Sequence, residues 1–157
     1  MERPCLSHPD ISDLEDHLGY WLRYVSNRVS HAFSLKIAAH DVTVAEWVML
    51  RELYKQDSMV PSTLADRLGM TRGAISKLTD RLSAKTLLTR IPNRQDRRSQ
   101  NLALTAAGRA LVPELSALAD RNDAEFFGQL TSADRATIEL LMKDIVRQRR
   151  LRAVPVD

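Results

Sequence analysis

Arg72 and Lys77 follow a Thr71 suited to capping a helix, with the small residues Gly73, Ala74 and Ser76 among them. Further along, Arg94, Arg97 and Arg98 crowd a short loop beside Asp96. These side chains hold anions rather than make or break bonds. Guanidinium groups grip phosphate or carboxylate oxygens two at a time, and an ammonium group meets them as a point charge. A helix whose exposed face is small and cationic near its N-terminus is suited to entering a DNA major groove. A basic loop beyond it can reach phosphates or the adjoining minor groove.

Charge along the chain agrees with that chemistry. From Arg72 to Thr105 the basic residues Arg72, Lys77, Arg81, Lys85, Arg90, Arg94, Arg97 and Arg98 face only Asp80 and Asp96, a balance of +6. The remainder carries −3, so the modest overall +3 conceals a basic segment on a slightly acidic frame. Such asymmetry is the electrostatic footprint of a nucleic-acid binder. Enzymatic chemistry finds no support: there is no Gly-rich phosphate loop and no recognisable nucleophile-and-base pairing. His8, His17, His31 and His40 form no i, i+4 pair, so neither a metal site nor a cofactor is expected. No apolar run is long enough to span a bilayer, and no apolar signal segment follows Met1 to Cys5, so cytoplasmic residence is expected.

The elements that must carry these residues read as helices at both ends and a hairpin between. Ser12-Asp13-Leu14-Glu15 is a capping-box pattern opening a first helix, with the stripe Leu14, Leu18, Trp21, Val25, Val29 and Phe33. Thr43 and Glu46 form a second capping box before Val44, Trp47, Val48, Leu50 and Leu53, a stripe interrupted by Arg51. Pro61 starts a short third helix to Leu68, and Thr71 caps a fourth to about Lys85, with Ile75, Leu78 and Leu82 inward. Leu88 to Ile91 and Asn101 to Leu104 alternate as a β-hairpin whose loop spans Asn93 to Gln100. Thr105 caps a long helix to about Phe127, which Pro113 is expected to kink or interrupt. Thr131 caps a last helix with Ile138, Leu141, Met142 and Ile145 inward; it ends on Arg147, Arg149, Arg150 and Arg152, which suit the negative end of a helix dipole. The fold class is mainly α with a small β-hairpin wing.

Two stretches carry a specific resemblance: Leu64-Ala65-Asp66-Arg67-Leu68 through Leu78-Thr79-Asp80-Arg81-Leu82, and Asp96-Arg97-Arg98 before Leu102-Ala103-Leu104-Thr105-Ala106-Ala107-Gly108. With the order of elements, they make the chain similar to the MarR family of bacterial transcriptional regulators. The resemblance implies homodimers in which the first and last helices interlock and two winged helix-turn-helix lobes grip double-stranded DNA at a palindromic operator. It implies a dimerisation helix over 1–42, a DNA-binding lobe over 43–104, C-terminal dimerisation helices over 105–150 and a tail over 151–157. Arg72, Gly73, Ala74 and Lys77 would face the major groove, and Arg98 would enter the minor groove with Asp96 paired to it. Thr71, Ser76, Arg94 and Arg97 complete the expected DNA-binding set. The chain departs from the family pattern at Thr86, where a helix-ending glycine is usual, and at Val60, where a capping Thr or Ser is common.

The resemblance also implies a repressor released by a small aromatic or phenolic acid. Tyr20, Trp21, Tyr24, Trp47 and Arg51 are the candidates for its pocket, an aromatic wall with one cation. Packing in the core or between subunits is the alternative role for those aromatics. Two further alternatives are a redox-responsive regulator using Cys5, and a winged helix used for protein contact.

Overall fold

The computed structural model describes residues 11–151. Cys5, His8, Arg152 and most of the 151–157 tail lie outside the described residues. A 3-10 turn (Leu14–Asp16) precedes α1 (Leu18–Ala38), α2 (Val44–Leu53), α3 (Pro61–Leu68) and α4 (Arg72–Ala84). An antiparallel hairpin of β1 (Leu88–Pro92) and β2 (Gln100–Leu104) follows, then α5 (Ala106–Phe127) and α6 (Ser132–Gln148). No helix among the described residues is long and apolar enough to cross a membrane.

The first helix starts later than the Ser12 pattern predicts. Asp13 takes the cap position instead, its N–H donating to Asp16 Oδ2 at 3.0 Å. His17 is extended (φ −92°, ψ 119°), so the turn ends there and α1 begins at Leu18. Trp21 Nε1 donates to the Glu15 carbonyl at 2.8 Å and holds the turn against the start of α1.

Caps decide the other helix starts. Thr43 and Glu46 form the expected box, with Glu46 N–H to Thr43 Oγ1 at 3.2 Å and Thr43 N–H to Glu46 Oε2 at 3.0 Å. The buried face of α2 is Glu46, Met49, Leu50 and Leu53, while Trp47 and Val48 are half-buried and Arg51 is exposed. Val60 is extended and supplies no side-chain cap to α3, whose first turn begins on Pro61.

The ends of α3 and α4 close alike. Gly69 has φ 62°, and Met70 N–H reaches back to the Ala65 carbonyl at 3.0 Å. At α4 the left-handed residue is Thr86 (φ 60°), with Thr86 N–H to Ser83 O and Leu87 N–H to Leu82 O, both at 3.0 Å. This pair of bonds is a Schellman closure, and it forces a β-branched residue into the region glycine prefers.

The hairpin pairs Leu88 with Leu104 and Pro92 with Gln100. Met59 adds a bridge to Leu102, N–H to O at 2.9 Å and 2.8 Å in the two directions, which seats the wing on the segment before α3. The core draws Ile37, Leu50, Leu53, Leu64, Ile75, Leu82, Leu102 and Leu115 from α1 through α5.

α5 runs through Pro113 without the interruption that a proline can cause. Pro113 lies on the exposed face, where water can serve the carbonyl that its missing N–H leaves free. α5 packs along α1, where the buried Asn122 donates to the Val29 carbonyl (3.1 Å) and accepts from Lys36 Nζ (3.1 Å), and Lys36 also pairs with Glu125 at 2.7 Å.

Ile138, Leu141, Met142 and Ile145 do not face the protomer's own core. No residue of α6 is buried, and these four are 43–57% exposed. The physical reason is that the core closes over α1 to α5, leaving α6 joined to α5 through the Arg135–Asp123 ion pair. Leu14, Leu18, Trp21, Leu22, Tyr24 and Val25 are similarly exposed at the other end of the chain.

Candidate nucleic-acid interface

Thr71 sets the entry of α4: it is extended (φ −70°, ψ 156°), and its Oγ1 accepts the Ala74 N–H at 3.1 Å. Ile75, Leu78 and Leu82 then anchor the helix inward, as their three-and-four spacing predicts. Thr79 joins that buried face, its hydroxyl satisfied by the Ile75 carbonyl at 2.7 Å. The opposite face presents Thr71, Arg72, Gly73, Ser76 and Lys77 to solvent, with Ala74 half-buried at its edge. Arg81 follows one turn beyond Lys77 and is also exposed, a position sequence reasoning counted in the basic segment but not in the site.

The wing tip is shaped by its own side chains. Asn93 Oδ1 accepts the Gln95 N–H at 2.9 Å, and Asp96 Oδ1 accepts the Arg98 N–H at 2.9 Å. Asp96 thus holds Arg98 through its backbone amide. Asn93 N–H to Ser99 O and Ser99 N–H to Asp96 O, both 3.1 Å, close the loop. Arg94, Arg97 and Arg98 are exposed. Among the described residues, none of Arg72, Lys77, Arg81, Arg94, Arg97 and Arg98 forms an ion pair. Cations left unneutralised on one face concentrate positive potential there.

The basic segment's remaining members are engaged. Arg90 on β1 pairs with Asp80 on α4 at 2.7 Å, tying the wing to the helix, and Lys85 pairs with Glu46 at 2.8 Å. Neither partnership was legible in spacing, because the partners lie on different elements. Between α3, α4 and the wing lies a cleft of about 310 Å³ lined by Ser62, Arg72, Ile75, Ser76, Arg90 and Leu102, among others. It brings Arg72 and Arg90 together with the apolar Ile75 and Leu102.

The residues expected to form an aromatic pocket are divided. Tyr20, Trp21 and Tyr24 cluster on α1, with centroids 5.2 Å (Tyr20–Trp21) and 6.5 Å (Trp21–Tyr24) apart, and Arg28 lies over Tyr24 at 5.6 Å. Trp47 instead meets Phe33 edge-on at 6.0 Å in the core. Phe33 is about 14 Å along the helix from Tyr24 at 1.5 Å per residue. Arg51 stacks near Tyr54 at 6.0 Å, a ring also covered by Arg109 at 5.6 Å. Within one protomer the five do not converge on a single cavity, because sequence adjacency along α1 and α2 ignores where the two helices cross.

Comparison with known proteins agrees with this geometry. Residues 40–99 match the sequence model of the MarR family. The multiple antibiotic resistance protein MarR of Escherichia coli is 26% identical over 130 residues, covering 82% of this chain and 90% of that protein. A mutant of E. coli MarR, solved in complex with operator DNA, superposes with TM-score 0.78 at 27% identity, covering 86% of this chain and 99% of that one. BpsR of Bordetella bronchiseptica, whose DNA binding is regulated by 6-hydroxynicotinic acid, superposes with TM-score 0.78 at 27% identity, covering 86% and 96%.

Proposed function

We propose that this chain is a DNA-binding transcriptional regulator of the MarR family and that it acts as a homodimeric repressor on a palindromic operator. The observation that carries this reading is the set of unpaired cations, Arg72, Lys77, Arg94, Arg97 and Arg98, on the exposed faces of α4 and the wing. Arg72, Gly73, Ala74, Ser76 and Lys77, capped by Thr71, would enter the major groove, and the wing would carry Arg98 to the minor groove beside phosphates met by Arg94 and Arg97. Residues 1–42 and 105–150 would form the dimer frame. Exposed apolar side chains on α1 and α6 support that assignment, since a patch of this extent calls for a partner. Two lobes related by a two-fold axis match half-sites about one helical turn apart. An apolar recognition face, as a protein-interaction module requires, is not what α4 presents.

A small aromatic acid is the effector we assign to the cleft between α3, α4 and the wing. Its carboxylate would meet Arg72, and its ring would lie on Ile75 and Leu102. Occupancy there takes charge from Arg72 and opposes DNA binding; a coupling of about 1–3 kcal/mol suffices to switch operator occupancy.

Selection from a random 30-base-pair duplex library tests the reading. An enriched inverted repeat, bound by a dimer with affinity falling steeply between two salt concentrations, is expected. No enrichment, or affinity indifferent to salt, would overturn it.

A further inference from the structure

Glu46 is the one buried charged side chain among the described residues, 1% exposed. A glutamate in a capping box ordinarily sits at a solvated helix start, so its burial needs a cause. Lys85 supplies it: Nζ donates to Glu46 Oε2 at 2.8 Å and to the Asp41 carbonyl at 2.5 Å. Asp41 forms the corner between α1 and α2 with φ 55°, and Lys85 is the C-cap of α4. One ammonium therefore joins the end of α4, the α1–α2 corner and the start of α2.

We propose that Lys85 is a positioning residue for DNA binding, its tie to Glu46 and Asp41 setting the tilt of α4 from the α1–α2 corner. This rests on the DNA-binding reading above. Ile75, Leu78 and Leu82 hold α4 through apolar contact, which is non-directional and tolerates rocking. The Lys85 bonds are directional and sit at the end opposite the groove-facing residues. At 1.5 Å per residue α4 is a lever of about 20 Å, so a tilt of about 10° at Lys85 displaces Arg72 by about 3 Å. That is the difference between a hydrogen bond to a base edge and none. A movement of α1 at its corner with α2 thus reaches the recognition helix through Lys85.

The test compares the wild type with Lys85→Met, which keeps the alkyl stem, Lys85→Arg, which keeps the charge, and Glu46→Gln, which keeps the capping geometry. Affinities are measured by fluorescence anisotropy for a duplex from the selection and for a random duplex, at two salt concentrations and well below each variant's Tm. Lys85→Met is expected to weaken the selected duplex about tenfold while leaving the random duplex and the salt slope unchanged. Lys85→Arg should retain most of the affinity, and Glu46→Gln should show a smaller loss of the same kind. Equal weakening of both duplexes with a salt slope reduced by about one would make Lys85 a phosphate contact and overturn the proposal. Unchanged specific binding would also overturn it. If the wild type enriches no duplex, the DNA-binding reading fails on its own, and amide exchange of the free protein judges the tie. Faster exchange confined to α4 and residues 41–46 in Lys85→Met supports it; an unchanged pattern overturns it.

Discussion

The Thr105 hydroxyl donates to the Thr86 carbonyl at 2.6 Å, fastening the start of α5 to the one residue of the α4 closure with positive φ (60°). Thr105 N–H adds a bond to the Leu87 carbonyl at 3.1 Å, and its Oγ1 caps α5 by accepting the Gly108 N–H at 3.1 Å. α4, the wing's first strand and α5 therefore meet at a single turn.

Thr86→Gly is expected to stabilise the protein. Relief of left-handed strain, about 1–2 kcal/mol, exceeds the entropy that glycine adds to the unfolded chain, about 0.4–1 kcal/mol. A net gain of about 0.5–1 kcal/mol should appear as a rise in Tm of roughly 1–4 °C. A fall in Tm would mean that the Thr86 Oγ1 contact with the Lys85 carbonyl (2.6 Å) outweighs the strain.

Gly108→Ala should do the reverse. A Cβ there would stand 2.1 Å from the Leu87 carbonyl oxygen, so backbone must move. A loss of about 2–3 kcal/mol is expected, read as a lower urea midpoint.

Glu52 gives the α2–α3 contact a pH dependence. Hydrogen bonds from Lys55 Nζ (2.7 Å) and then from Arg67 (3.2 Å) hold its carboxyl below the ordinary value. A depressed folded pKa contributes stability that is present above the unfolded carboxylate pKa and lost as pH falls through the folded one. Stability should therefore drop below about pH 4, and Glu52→Gln should flatten that part of the profile measured by urea unfolding.

Arg98→Ala is expected to cost about 1–3 kcal/mol of operator affinity, with discrimination relaxed where the wing inserts. Asp96→Ala frees the Arg98 amide and should weaken binding in the same direction without removing a cation, so the salt slope should hold. Anisotropy titrations across a salt series separate the two.

Leu141→Asp places a charge on the exposed apolar face of α6. Sedimentation velocity is expected to show a monomer with its helical circular dichroism retained, because no α6 residue belongs to the protomer's core. A persistent dimer would remove α6 from the interface.

Much of the fold was legible because its determinants are local. Thr43, Thr71, Thr105 and Thr131 cap helices with their own side chains, and each bond spans three residues. The inward set Ile75, Leu78 and Leu82 follows from helical period alone. The start of α1 is not legible locally, because Ser12 and Asp13 are both good caps and only the extended His17 separates turn from helix. The five aromatic-pocket candidates are divided within one protomer for a different reason. Trp47 is drawn to Phe33, a choice set by the crossing of α1 and α2.

The order of elements, the caps, the exposed cationic face of α4 and the basic wing tip are thus properties of the sequence, since each depends on residues within a turn of one another. The tertiary structure alone decided which charges are spent and which stay available: Lys85 and Arg90 are drawn into pairs with Glu46 and Asp80, while Arg72, Lys77 and Arg98 keep their charge for a partner. The physical reason is that an ion pair requires two groups within about 4 Å, a distance that depends on how helices pack.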